Sequence, residues 1–309
     1  IAKMSKPKKK AHKGLSLPKE LQEALTPEEQ KAYIAEMKRR FGADPEDLED
    51  PEDVADYLEL AGRAATDQER LKWVRKARAV DPDDIDAALQ ETLLTSKGLH
   101  ESLKKLKALL EVSTRQMEGK GYFEPDCIGS FWGLVETRPY MRLRYTYLEC
   151  LMEVQQIRPA IEECKALLRL SENDNMGVRD LLIAIYAYLQ EEAPAEALLE
   201  RYGSQSSIFL FCMALLKYTL GKEKEAAVFL RRLAKINPDT KAFLNAMKDC
   251  EKVGFSGTRY RLNTMEELLA MMENAPFLYL SVQMFATWAF PKLRSQAIGR
   301  GSAKGRRRM

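Results

Sequence analysis

Histidine is almost missing from this chain. Its 309 residues include two, His12 and His100, so neither a histidine-based triad nor a histidine metal site can be assembled. Cysteine is little better supplied. Cys127, Cys150, Cys164, Cys212 and Cys250 are odd in number, scattered and mostly set in apolar helical stretches; they read as reduced core residues of a cytoplasmic protein rather than as a disulfide framework. The sequence contains no CxxC, HExxH, GxGxxG or GxxxxGK[ST], which removes the common thiol, zinc, dinucleotide and phosphate-loop chemistries. Paired carboxylates such as Glu162 and Glu163 are neighbours on a helix and point in different directions, which suits solvent better than acid-base work. No catalytic residue, cofactor or metal is expected, and the chain reads as non-enzymatic. Long apolar runs are lacking too. Ile208 to Leu216 is broken by Lys217, well short of the roughly 20 residues a membrane span needs, and the polar stretch Leu17 to Gln30 leaves no apolar region for a secretory signal.

What is present is a foldable mixture of 45% hydrophobic and 31% charged residues, the composition of a water-soluble globular protein. The net charge of +3 conceals an asymmetry. Residues 1–13 carry six lysines and no acid, and residues 292–309 carry seven lysines or arginines and no acid, so the body between them holds a net −10. An acidic body with two basic tails is the pattern. The runs Lys8, Lys9, Lys10 and Arg306, Arg307, Arg308 suit phosphate contacts with RNA, a ribosome or an anionic membrane, although neither tail interleaves the aromatics that stack single strands.

Punctuation divides the chain. Residues 1–16 read as a disordered basic tail. Residues 17–50 read as one helix started by Thr26, with Pro27 at its first position and Glu29 at the capping-box position, followed by an acidic linker. Divergent helical hairpins fill 51–119, with Val54, Tyr57, Leu58 and Ala61 on one stripe and Leu71, Val74, Ala77 and Val80 on the next. The stop Asp81-Pro82-Asp83 parallels Asn237-Pro238-Asp239, and a further pair spans Ile85 to Leu94 and Leu99 to Met117. Residues 120–138, rich in glycine, proline and aromatics, read as an ordered insertion. Capping helices follow at 239–291, including a second capping box at Thr264 and Glu267, and an apolar stretch from Phe277 to Phe290 suited to covering an open end of the core. Residues 292–309 read as a second disordered tail.

Residues 139–238 hold three helix-turn-helix units, each an apolar helix, a short break, a second helix with small residues, and an Asn/Asp/Pro/Ser-rich stop. Ala160, Ala193 and Ala226 set a period of 33. With the signature Glu136-Thr137-Arg138-Pro139-Tyr140-Met141-Arg142, these residues resemble the tetratricopeptide repeat family, and more closely bacterial repeat proteins of the suppressor-of-tumorigenicity type. The resemblance covers about residues 60–290 and implies an all-α fold, an α-solenoid of helix-turn-helix repeats with a C-terminal capping region. It supplies no reaction.

In that family the first helix of each hairpin lines a concave groove. Taking Met141, Asn175 and Ser207 as first positions, the resemblance places Arg142, Tyr145, Glu149, Arg179, Ile183, Tyr186, Phe211, Leu215 and Tyr218 there. Arginine forks and tyrosine rings favour protein interfaces, so an acidic or C-terminal peptide with an apolar anchor is the expected partner. The competing reading packs these rings between helices and pairs Arg142 with Glu136 or Glu149. Arg138 is expected to hold the Trp132-Gly133 turn, partly through the indole ring. The reading is therefore a scaffold that binds a protein or peptide in its groove, and the alternative is an RNA- or ribosome-associated adaptor held by its basic tails.

Overall fold

The computed structural model describes residues 26, 51, 53–203, 205–249 and 259–301, with side chains to 293. The helix expected after Thr26 and both basic runs, Lys8 to Lys10 and Arg306 to Arg308, lie outside the described residues. Among the described residues the chain is all-helical, with thirteen α-helices, two single-turn 3₁₀ segments and one isolated β-bridge. It divides into two compact units, residues 1–94 and 95–309.

In the first unit, α1 (Val54–Arg63) and α2 (Asp67–Val80) form a hairpin. Asp53 and Asp56 cap α1 reciprocally, and the Thr66 hydroxyl accepts from the Glu69 N–H to start α2. These caps satisfy amides that a helix start leaves without partners. Ala61, Val74 and Ala77 form the buried seam, and the Tyr57 and Trp73 rings stack at 6.3 Å. Val80, expected on the same stripe, is 50% exposed because α2 ends there at the extended Asp81. Glu91 on α3 (Ile85–Thr95) lies 3.6 Å from both Arg75 and Arg78 of α2.

The second unit starts with α4 (Leu99–Gly119) and continues as three hairpins: α5 (Arg138–Glu153) with α6 (Ile157–Leu170), α7 (Val178–Leu189) with α8 (Glu192–Tyr202), and α9 (Ser207–Thr219) with α10 (Glu223–Ile236). Their inner turns are the same device used three times. Gln155, Gln190 and Gly221 have φ of 59°, 59° and 73°, and the following amide of Gln156, Glu191 or Lys222 reaches back to the carbonyl of Leu151, Tyr186 or Lys217 at 2.8, 2.9 and 2.8 Å. This is the Schellman arrangement, which reverses the chain while satisfying the last carbonyls. Five residues after each left-handed residue stands a fully buried alanine: Ala160, Ala195 and Ala226. Ala193, expected in that role, is exposed. The spacings are therefore 35 and 31 residues, which share the 66-residue sum but not its midpoint.

Residues 120–134 form a chain of turns anchored at both edges. The Phe131 amide donates to Leu170 O at 3.0 Å and the Glu172 amide to Gly129 O at 2.9 Å, around the Ser130–Ser171 bridge. Phe131 is fully buried among Phe123 and Tyr140, with ring centroids 5.4 and 6.1 Å away. Arg138 donates from Nε to Trp132 O at 2.9 Å with its guanidinium 5.9 Å from the indole centroid, in agreement with its expected role.

Two ion-pair systems, one largely buried and one built on a buried lysine, tie neighbouring helices. Arg144 on α5 grips Glu163 on α6 with two nitrogens, at 2.5 and 3.0 Å, and donates to the Tyr140 hydroxyl, which pairs with Thr114 of α4 at 2.8 Å. Lys217 on α9, its side chain 3% exposed, meets Glu192 and Glu196 of α8 and Glu225 of α10, the last at 3.0 Å. Burial opposes the ammonium charge, but the three carboxylates prevail and hold it above the usual lysine range.

The C-terminal elements pack on the second and third hairpins. α11 (Thr240–Lys248) and α12 (Met265–Asn274) lead through the single turn Pro276–Leu278 into α13 (Tyr279–Gly301). α12 packs on α7, α9 and α11, while α13 packs on α9, α10 and α11. The Asn237 side chain accepts from the Asp239 amide at 3.0 Å and donates to Thr264 O at 3.0 Å, joining the stop after α10 to the start of α12. Asp81 accepts from Asp83 in the same way at 2.8 Å, so the two Asx stops are structurally alike. The capping box expected at Thr264 is displaced by one residue: Glu267 accepts from the Asn263 amide, and the Thr264 hydroxyl donates to Arg261 O at 2.7 Å.

Candidate partner-binding surface

The nine expected groove residues fall on different surroundings. Arg142, Tyr145 and Glu149 stand at i, i+3 and i+7 on α5, so they form one stripe; Arg142 and Glu149 are exposed and Tyr145 is half-buried. Burial raises the Tyr145 phenol, helped by the Glu149 and Asp174 charges, and burial with the neighbouring Glu153 raises the Glu149 carboxyl.

Arg179 lies at the start of α7. Its Nε is 3.5 Å from Asp174, whose carboxylate also accepts from the Val178 and Arg179 amides at 2.8 and 2.9 Å. Asp174, itself left-handed with φ 48°, thus satisfies two first-turn amides of α7 from three residues before the N-cap Gly177. Desolvation still raises its carboxyl, with the amides and Arg179 opposing. The Arg179 guanidinium lies 5.5 Å from the Tyr202 ring centroid, and Arg201 lies 5.0 Å from the same ring. Two cations over one phenol ring make a cationic and aromatic patch. Asp174 relates its parts, since its charge acts on both Tyr145 and Tyr202. Arg201, Tyr202 and Asp174 were not legible as site residues, because they end a second helix or lie in a loop and no first-helix register reaches them.

Tyr186 is almost fully buried and points elsewhere. It lies against a shallow cleft of about 450 Å³ between α6 and α8, rimmed by the ion pairs Arg158–Glu191 and Lys165–Glu162. Phe211 and Tyr218 are taken up by the protein's own C-terminal helix. Phe211 is fully buried, edge-on to Phe243 at 5.4 Å and Phe285 at 5.7 Å, and Tyr218 packs on Phe285 and Trp288 at 5.6 and 5.0 Å. Ile183 and Leu215 are likewise fully buried. The physical reason is the apolar character of α9, buried continuously from Ser207 to Lys217: a helix apolar all round must be covered all round, and α13 supplies the missing cover. The expected groove is thus filled by the chain itself along α9, leaving the α5 stripe and the Arg179–Tyr202 patch accessible.

Among the described residues no group of three or more His, Cys, Asp or Glu side chains is placed to hold a metal ion. No family model matches this chain, and no curated protein sequence matches it.

Proposed function

We propose that the protein is a non-enzymatic helical-repeat scaffold of the tetratricopeptide type, and that it holds an acidic peptide segment of a partner protein across α5 and the end of α8. The observation that carries this reading is the pairing of Arg179 and Arg201 over the Tyr202 ring, with the exposed Arg142 and half-buried Tyr145 sharing one stripe of α5. Guanidinium forks match carboxylates, and rings add contact area with little rotamer entropy to lose. The three identical Schellman turns support the repeat character, since each places a buried alanine at the same point of its second helix.

The test is capture of partners from nuclease-treated lysate by the full chain and by an Arg179→Glu/Arg201→Glu variant, at low and moderate salt. A protein partner held by the wild type and lost by the variant, with unchanged thermal unfolding, supports the scaffold reading. Retention by the variant overturns the assignment of this surface. A catch that consists of nucleic acid and disappears at moderate salt moves the activity to the basic tails.

A further inference from the structure

The first three and a half turns of α13, Tyr279 to Pro291, contain no charged residue. Val282, Phe285, Ala286 and Ala289 face inward and are fully buried, as the packing on α9, α10 and α11 requires. The opposite side is uncharged, with apolar side chains beside Ser281, Gln283 and Thr287. Leu280 and Met284, one turn apart and therefore on one face, are 70% and 58% exposed, and Tyr279 beside them is 45% exposed. An outward face without a charge over this length is unusual for a surface helix, whose solvent side is normally polar. The sequence then changes character abruptly: residues 292–309 hold seven lysines or arginines and no acid.

An apolar helix face continued by a cationic segment matches a surface that is anionic outside and apolar just beneath. We propose that α13 docks this protein, lying flat, on an anionic lipid bilayer, with Leu280, Met284 and Tyr279 entering the headgroup and acyl boundary and the basic segment after Lys292 held by the lipid phosphates and carboxylates. Interfacial helices bind by these two contributions together, and neither alone anchors firmly. Nucleic acid fits the cations but gives the aliphatic pair nothing to contact, since strand binding uses ring stacking. Among the described residues no helix is long and apolar enough to cross a membrane, so the helix lies on the bilayer rather than through it.

The full chain is floated with vesicles of phosphatidylcholine alone and of phosphatidylcholine containing phosphatidylserine, at low and high salt. Polyuridylate binding is measured in parallel. The wild type floats with the anionic vesicles and not the neutral ones, and high salt weakens the association. Leu280→Ser/Met284→Ser, two substitutions at exposed positions that leave thermal unfolding unchanged, weakens flotation by roughly tenfold or more. Arg306→Ser/Arg307→Ser/Arg308→Ser weakens it as well and lessens its salt dependence. Absence of wild-type flotation overturns the proposal, as does flotation that the aliphatic variant leaves intact. Polyuridylate binding equal in wild type and aliphatic variant, without vesicle binding, assigns the basic segment to nucleic acid instead.

Discussion

Gln155 and Gly221, 66 positions apart, occupy the same left-handed turn between the two helices of their hairpins, with φ of 59° and 73° and the same 2.8 Å bond closing behind them. A side chain in this conformation meets its own backbone, while glycine does not. Gln155→Gly and Gln190→Gly are each expected to stabilise the second unit by about 0.5–1 kcal/mol, and Gly221→Gln to cost about 1 kcal/mol. Urea unfolding of the three variants checks this. A Cβ on Gly221 meets nothing within 4 Å, so a larger loss there would point to something other than backbone strain.

The alanine register gives a sharper contrast. Ala195→Asp and Ala226→Asp each force a carboxylate into a closed helix seam and are expected to destabilise by several kcal/mol, about 2–4. Ala193→Asp, on the exposed side of α8, is expected to change stability by less than about 0.5 kcal/mol. Similar melting temperatures for Ala193→Asp and Ala195→Asp would refute the 35 and 31 spacing.

The Arg144–Glu163 pair is two-pronged and largely buried. Arg144→Ala strands the Glu163 carboxylate and is expected to cost about 3–5 kcal/mol. Replacing both residues by leucine and methionine removes the charges together and is expected to recover most of that loss. Comparing the single and double variants by denaturant unfolding separates the cost of an orphaned charge from the net worth of the pair.

Asp180 on α7 is pushed up to about 6, first by burial, against the pull of Arg179 and with repulsion from Asp174 and Glu267 added. An unfolded aspartate titrates near 3.9. The folded state therefore binds the proton more tightly, and the group lowers stability progressively as pH rises from about 4 to about 6. Above that window the cost is complete; below it the cost vanishes. Asp180→Asn is expected to raise stability at pH 8 by about 1–3 kcal/mol and to change it little at pH 4, which guanidinium unfolding at both pH values would show.

Helix positions were legible from the sequence because hydrophobic periodicity and the Asx-Pro stops are local signals. The expected pair at Ile85–Leu94 and Leu99–Met117 appears as Ile85–Thr95 and Leu99–Gly119. The middle alanine was not legible, since Ala193 and Ala195 are both small residues near a break, and only the left-handed turn at Gln190 decides between them. The surface was less legible still. A first-helix register identifies Phe211 and Tyr218 but carries no information on what lies across from them, and the answer is a helix some 70 residues later in the chain. Arg201 and Tyr202 show the converse, a pairing created by tertiary approach of Arg179 that no spacing announces.

The bridge between Ser130 and Ser171 joins chain segments roughly forty residues apart, and everything between them must be in place before it closes. The turn segment is therefore expected to dock only once α5 and α6 have come together. Once docked, its fate is tied to theirs. The amides of Phe131 and Glu172, though they belong to irregular backbone, are expected to exchange with solvent at the slow rate of the hairpin and not at the fast rate of a surface loop, so that hydrogen exchange would record one cooperative unit where the trace of the chain suggests two.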